Sequence, residues 1–129
     1  MTDYGDASPS LEVCGVLLGT KTSDTEWLCD EFVPVTNVSP MPPVHYIPHP
    51  NEFLNVLKRT THFSDDAEKD LIGIFHTHPN NVARPSIIDI TEASYLGAYI
   101  IYSPRLKEMN TFYSDGEIPA WTPIIRKDI

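Results

Sequence analysis

Residues 71–89, LIGIFHTHPNNVARPSIID, carry the reading on which the fold and its chemistry turn. The opening LIGIFH is a short continuous apolar run, the pattern of a strand buried on both faces. His76 and His78 stand at i and i+2 where that run gives way to Pro79, and the two-residue period of a strand points both imidazoles to one side of the sheet. Ser86 and Asp89 then open a helix over 86–96, ended by Gly97, in a Ser-x-x-Asp form close to a capping box. A second apolar strand, AYIIY at 98–102, follows, and 109–114 and 121–126 read as two closing strands.

Upstream, residues 11–19 (LEVCGVLLG) and 26–35 (EWLCDEFVPV) are β-prone runs separated by TKTSDT, which predicts a hairpin and, paired about that turn, sets Cys14 near Cys29. Six of the twelve prolines fall between Pro34 and Pro50. A stretch so poor in backbone donors is no central strand or helix interior, so 36–49 (TNVSPMPPVHYIPH) is expected as an ordered, extended surface loop. Pro50 suits a first helical turn, and Phe53, Leu54, Leu57 and Thr61 continue at helical spacing, predicting a helix over 50–63. The whole is a single domain, 1–129, in the α/β (α+β) range: one mixed sheet packed by helices, with 1–10 expected to be flexible.

At 129 residues, 41% hydrophobic, the chain can bury a core without disulfide or metal staples, so any metal is expected to be functional. Eighteen acidic against nine basic side chains leave a net charge of −9, the wrong sign for binding nucleic acid or an anionic membrane. No apolar run approaches a membrane span, and no signal segment is read in MTDYGDASPS. Two cysteines make no disulfide framework, and the expected compartment is the cytoplasm.

His76 and His78 alone are a weak pair, and Ser86-x-x-Asp89 alone is a helix cap. Together, two histidines and a carboxylate with an open water position form the donor set of catalytic rather than structural zinc. A hydrolase of that kind needs a base, and Glu12 stands in an otherwise apolar strand, where a carboxylate either faces water at a sheet edge or is buried for a reason. Cys14 lies two residues on, on the same face, with packing as its expected role.

His76-Thr77-His78-Pro79, Ser86-x-x-Asp89 after Pro85, and the upstream Glu12-x-x-Gly15-x-Leu17-x-Gly19 resemble the JAMM (MPN+) metalloprotease family. Three separated segments agree in type, order and spacing, and the likeness spans the chain from Glu12 to the last strands. The resemblance implies a cytidine-deaminase-like fold, a curved mixed sheet flanked by helices. It implies one zinc ion (Zn2+) per chain on His76, His78 and Asp89, Glu12 as general base and then acid, and Ser86 as donor to the oxyanion. It also implies a substrate that is ubiquitin or a ubiquitin-like protein, a sulfur carrier among them, with the 36–49 segment clamping its tail through Val44, Tyr46 and Ile47. Family members usually carry a helix ahead of the Glu strand. Only about ten residues, mostly polar, precede Leu11 here, so a sheet face is expected to be covered by a partner or by a second copy in a homodimer. Two rivals remain for comparison. A catalytically silent MPN scaffold would lack motif residues, and a zinc deaminase would need a PCxxC pair that the chain does not have.

Overall fold

The computed structural model describes residues 1–23, 26–92, 97–114 and 121–124. Along the chain run α1 (Thr2–Asp6), β1 (Cys14–Ser23), β2 (Glu26–Val35), α2 (Pro50–Leu57), β3 (Asp70–Thr77), α3 (Ile87–Glu92), β4 (Gly97–Ser103), β5 (Glu108–Ser114) and β6 (Trp121–Ile124). The strands form one sheet in the order β2-β1-β3-β4-β5-β6, antiparallel except for the β3–β4 pair. That parallel pair requires a crossover, and α3 lies within it. The mixed sheet with few helices is the α+β arrangement expected from the strand and helix patterns.

Alternation along the central strands sorts the core into two layers. Cys14, Val16, Leu18, Ile74 and Tyr99 face α2, whose Phe53 and Val56 complete that cluster. Leu17, Phe75, Ile100 and Tyr102 face the other way, against Tyr4, Val13 and Phe32. The sheet is strongly curved: Trp27 on β2 stacks on Tyr113 of β5, ring centroids 6.3 Å apart, although three strands lie between theirs in the sheet order.

Three local expectations need correction. Residues 2–6, expected to be flexible, form the short helix α1, and the face expected to need a partner is partly covered by it. Gly5 lies so close to the Tyr102 ring and Thr77 that a Cβ there would meet both, at 2.8 and 3.0 Å, and Asp6 accepts hydrogen bonds from Tyr102 Oη and Lys107 Nζ, each 2.8 Å. The β1–β2 turn falls later than expected because TKTS remains in the strand. Cys14 therefore pairs with Val35 and Cys29 with Gly19, so the two thiols are not neighbours. Helix α2 ends at Leu57 rather than 63: Thr60 caps it by donating from Oγ1 to the Leu57 carbonyl at 2.7 Å, and Phe63 beyond is exposed. Gly97 opens β4 with φ 150°, a backbone value that favours glycine. The predicted helix span 93–96 and the strand end at 125–126 lie outside the described residues.

Candidate metal centre and active site

The carboxyl end of β3 delivers the two histidines where the parallel crossover begins. His76 sits in the strand opposite Cys14, and His78 follows the last ladder residue. Both are buried, and their Nε2 atoms lie 3.1 Å apart. Asp89, in the first turn of α3, presents Oδ1 to His76 Nε2 at 3.2 Å and Oδ2 to His78 Nε2 at 2.9 Å. Three donors bound at the 2.0–2.1 Å typical of zinc in a tetrahedral arrangement would lie about 3.3 Å apart. The observed spacings are near that size, although each imidazole faces a different oxygen of the Asp89 carboxylate, and Glu12 also brings a carboxylate oxygen within 4.8 Å of both histidines, so the residues present fit the ion.

Local chemistry holds each donor. Ser86 and Asp89 form the reciprocal cap read from the sequence: Ser86 N donates to Asp89 Oδ2 at 2.9 Å, and Asp89 N donates to Ser86 Oγ at 3.0 Å. Capping and chemistry are therefore not alternatives, since the cap itself aims the carboxylate at the histidines. His78 Nδ1 lies 3.0 Å from the Val82 carbonyl and must donate to it, which fixes the ring with Nε2 facing the site, where it could bind a metal once deprotonated. His76 Nδ1 is buried with no hydrogen-bond partner among the described residues, and its ring stacks instead on Tyr46, centroids 4.3 Å apart.

Glu12 is buried, which removes the edge-strand alternative. It lies just before β1, with a carboxylate oxygen in a group whose atoms, with one from each histidine, all fall within 4.8 Å of one another. Its Oε1 has no partner among the described residues.

The electrostatics divide the two carboxylates. Burial pushes the Glu12 carboxyl up to about 8, with Asp89 adding to the effect and His78 opposing it. Burial raises Asp89 too, but hydrogen bonds from His76 and His78 overcome it and hold that carboxyl well below the usual range. Burial keeps the His76 imidazole below its ordinary value against the pull of Asp89. For His78 burial acts in the same sense, yet Asp89 and the Val82 carbonyl outweigh it and the value rises. One acid that stays ionised beside one poised near neutrality is the pairing expected of a ligand and a general base.

Sequence reasoning missed Asn37. Its side chain donates to the Glu12 carbonyl at 2.9 Å and to that of His45 at 3.0 Å. No motif marks it, because its partners lie 25 and 8 residues away. Of the expected clamp residues, Val44 and Ile47 are exposed, whereas Tyr46 turns inward beneath His76.

A family model described as prokaryotic homologs of the JAB domain matches residues 1–115. The Desampylase of Haloferax volcanii is 37% identical over 97 residues, which cover 74% of this chain and 65% of that protein. A probable TtuB-protein conjugate cleaving protease of Thermus thermophilus is 33% identical over 73 residues, covering 57% and 47% respectively. The matches thus span 65% and 47% of the lengths of these relatives. The solution structure of a protein from Desulfitobacterium hafniense superposes with a TM-score of 0.77 at 24% identity, over 100% of this chain and 88% of that one, a likeness of fold.

Proposed function

The chain belongs to the family of prokaryotic homologs of the JAB domain, and on that premise we propose that it is a zinc-dependent isopeptidase or peptidase cleaving after the C-terminal glycine of ubiquitin or a ubiquitin-like protein. The observation that carries this reading is the convergence of His76 Nε2, His78 Nε2 and the two Asp89 carboxylate oxygens at spacings of 2.9 to 3.2 Å, beside the buried Glu12 carboxylate. His76 Nε2, His78 Nε2 and the Asp89 carboxylate would hold the ion. Zinc, when bound, acidifies water and polarises a carbonyl.

The chain's own residues supply the rest. Glu12 accepts the proton of the attacking water and returns it to the leaving amine, a role its burial beside the histidines supports. Ser86 Oγ accepts the Asp89 amide, so its own hydrogen remains to be donated to the oxyanion that forms on the scissile carbonyl. Val44 and Ile47 offer exposed apolar contacts to an extended tail, whose glycines would pass a narrow site through main-chain hydrogen bonds. The name of the Thermus relative describes cleavage of TtuB-protein conjugates, which supports a protein conjugate as the substrate class. Deconjugation from a lysine, trimming of a precursor tail and release of a C-terminal cysteine from a sulfur carrier all use this same bond cleavage.

The test is cleavage of a ubiquitin-like protein joined through its C-terminal Gly-Gly to the ε-amine of a lysine peptide. We expect a product ending in glycine, lost on chelation and restored by zinc, with kcat lowered by roughly 10²-fold or more in Glu12→Gln. No cleavage by zinc-loaded protein of this substrate, of a precursor tail or of a C-terminal cysteine adduct would leave the silent scaffold in its place.

A further inference from the structure

Resting on the hydrolase reading, we infer that Asn37 is the positioning residue for Glu12 and joins the base to the loop that meets the substrate. Glu12 lies two residues before β1 begins, outside the ladder. Val13, its neighbour, is fixed to the sheet, donating to Thr77 Oγ1 at 3.0 Å and accepting from Thr77 N at 3.0 Å. Both backbone groups of Glu12 go instead to the 36–49 loop. Its N–H donates to the Pro42 carbonyl at 2.7 Å, and its carbonyl accepts from Asn37 Nδ2 at 2.9 Å. In the carboxylate, Oε1 is buried without a partner among the described residues. The place of the base is therefore set by the loop acting on its main chain.

Asn37 is built for that task. Nδ2 spends its second hydrogen on the His45 carbonyl at 3.0 Å, and Oδ1 accepts from Ser39 N at 3.0 Å and Ile47 N at 2.9 Å. A primary amide offers two donors and two acceptor positions, and all four are in use. One side chain thus closes the loop on itself and ties it to Glu12. It runs from the backbone of exposed Ile47 to the backbone of the base. A tail docking on Val44 and Ile47 would press on the same frame that holds the carboxylate in register.

The experiment is a double-mutant cycle on zinc-loaded protein, with the Gly-Gly lysine isopeptide as probe, single-turnover conditions, and zinc content and Tm measured on each sample. Asn37→Asp removes both donors, the tie to Glu12 and the bond to the His45 carbonyl, and keeps the loop closed through the acceptor bonds from Ser39 N and Ile47 N; Asn37→Ala removes all four. We expect kcat to fall about 30-fold in both, with KM within about threefold and zinc retained, because a base displaced by a fraction of an ångström loses rate before binding. In a Glu12→Gln background neither change should lower the residual rate by more than about twofold, since the group being positioned is already gone. If Asn37→Ala does not fold, Asn37→Asp decides. Wild-type kcat in Asn37→Asp, or losses that multiply in the Glu12→Gln background, would overturn the inference while the hydrolase reading stands. Wild-type turnover by Glu12→Gln would instead overturn the base assignment, and the inference with it.

Discussion

Each side chain at the site is held by a different local device, and these devices differ in how openly the sequence displays them. His76 and His78 are legible because a strand's period of two is strict, and Ser86 and Asp89 because a cap has a fixed spacing. The burial of Glu12 is not legible, because it depends on Asn37 and Pro42, which a hairpin brings back from the far side of the turn. Ser86→Ala keeps the Asp89 carboxylate in place through the remaining Ser86 N–H bond, so we expect zinc to be retained and kcat to fall by about 10²-fold, read by metal analysis beside turnover. The cysteines give a second check. Cys14 is fully buried, and burial, with Glu12 and Glu52 nearby, pushes its thiol up to about 12, whereas Cys29 is exposed. Iodoacetamide at pH 8 should label one thiol in the folded protein and two after denaturation. Two labels in the native state, or a Cys14–Cys29 bridge, would contradict the hairpin register.

The 36–49 segment is where sequence reasoning was right about character and incomplete about role. Its prolines do exclude a sheet interior, and it is ordered by an Asn37–Pro48 bridge and the hydrogen bonds of Val38 and His49. Composition could not tell which of its apolar side chains turn inward, since that follows from the three-dimensional return of the loop over β3. Tyr46 stacks on His76, the one candidate ligand whose second nitrogen has no described partner, so it fixes the ring where Val82 does so for His78. Val44→Ser with Ile47→Ser should raise KM for a ubiquitin-like substrate without changing zinc content. Tyr46→Gly should weaken zinc about tenfold or more in a chelator competition, and Tyr46→Phe should not. A zinc affinity unmoved by Tyr46→Gly would return that side chain to the substrate.

At the scale of the molecule, the site exists because the sheet order places β1 directly beside β3. That adjacency sets Cys14 opposite His76 and carries Glu12 to the histidines across 64 residues of sequence. The fold class followed from the alternation of strands and helices, but the register and curvature did not. Both depend on close approaches such as Gly15, where an added Cβ would run into the Phe32 ring and lie 2.8 Å from the Val33 carbonyl. The short α1 was hidden because five residues carry too little periodicity to be seen; it docks through Tyr4 on Phe32 and Gly5 on Tyr102. Deleting residues 1–7 should lower Tm by about 5 °C in a thermal melt while zinc stays bound, and an unchanged Tm would mean that the helix stabilises nothing.

The measurement that bears most directly on the site is native mass spectrometry of the wild type, Glu12→Gln and Asp89→Ala after zinc loading and desalting. Two carboxylates flank the histidine pair, and only Asp89 touches both Nε2 atoms at hydrogen-bond distance. We expect one zinc per chain in the wild type, one in Glu12→Gln and none in Asp89→Ala. Zinc kept by Asp89→Ala and lost by Glu12→Gln would exchange the ligand and the base, and a wild type that takes up no zinc would contradict the site altogether.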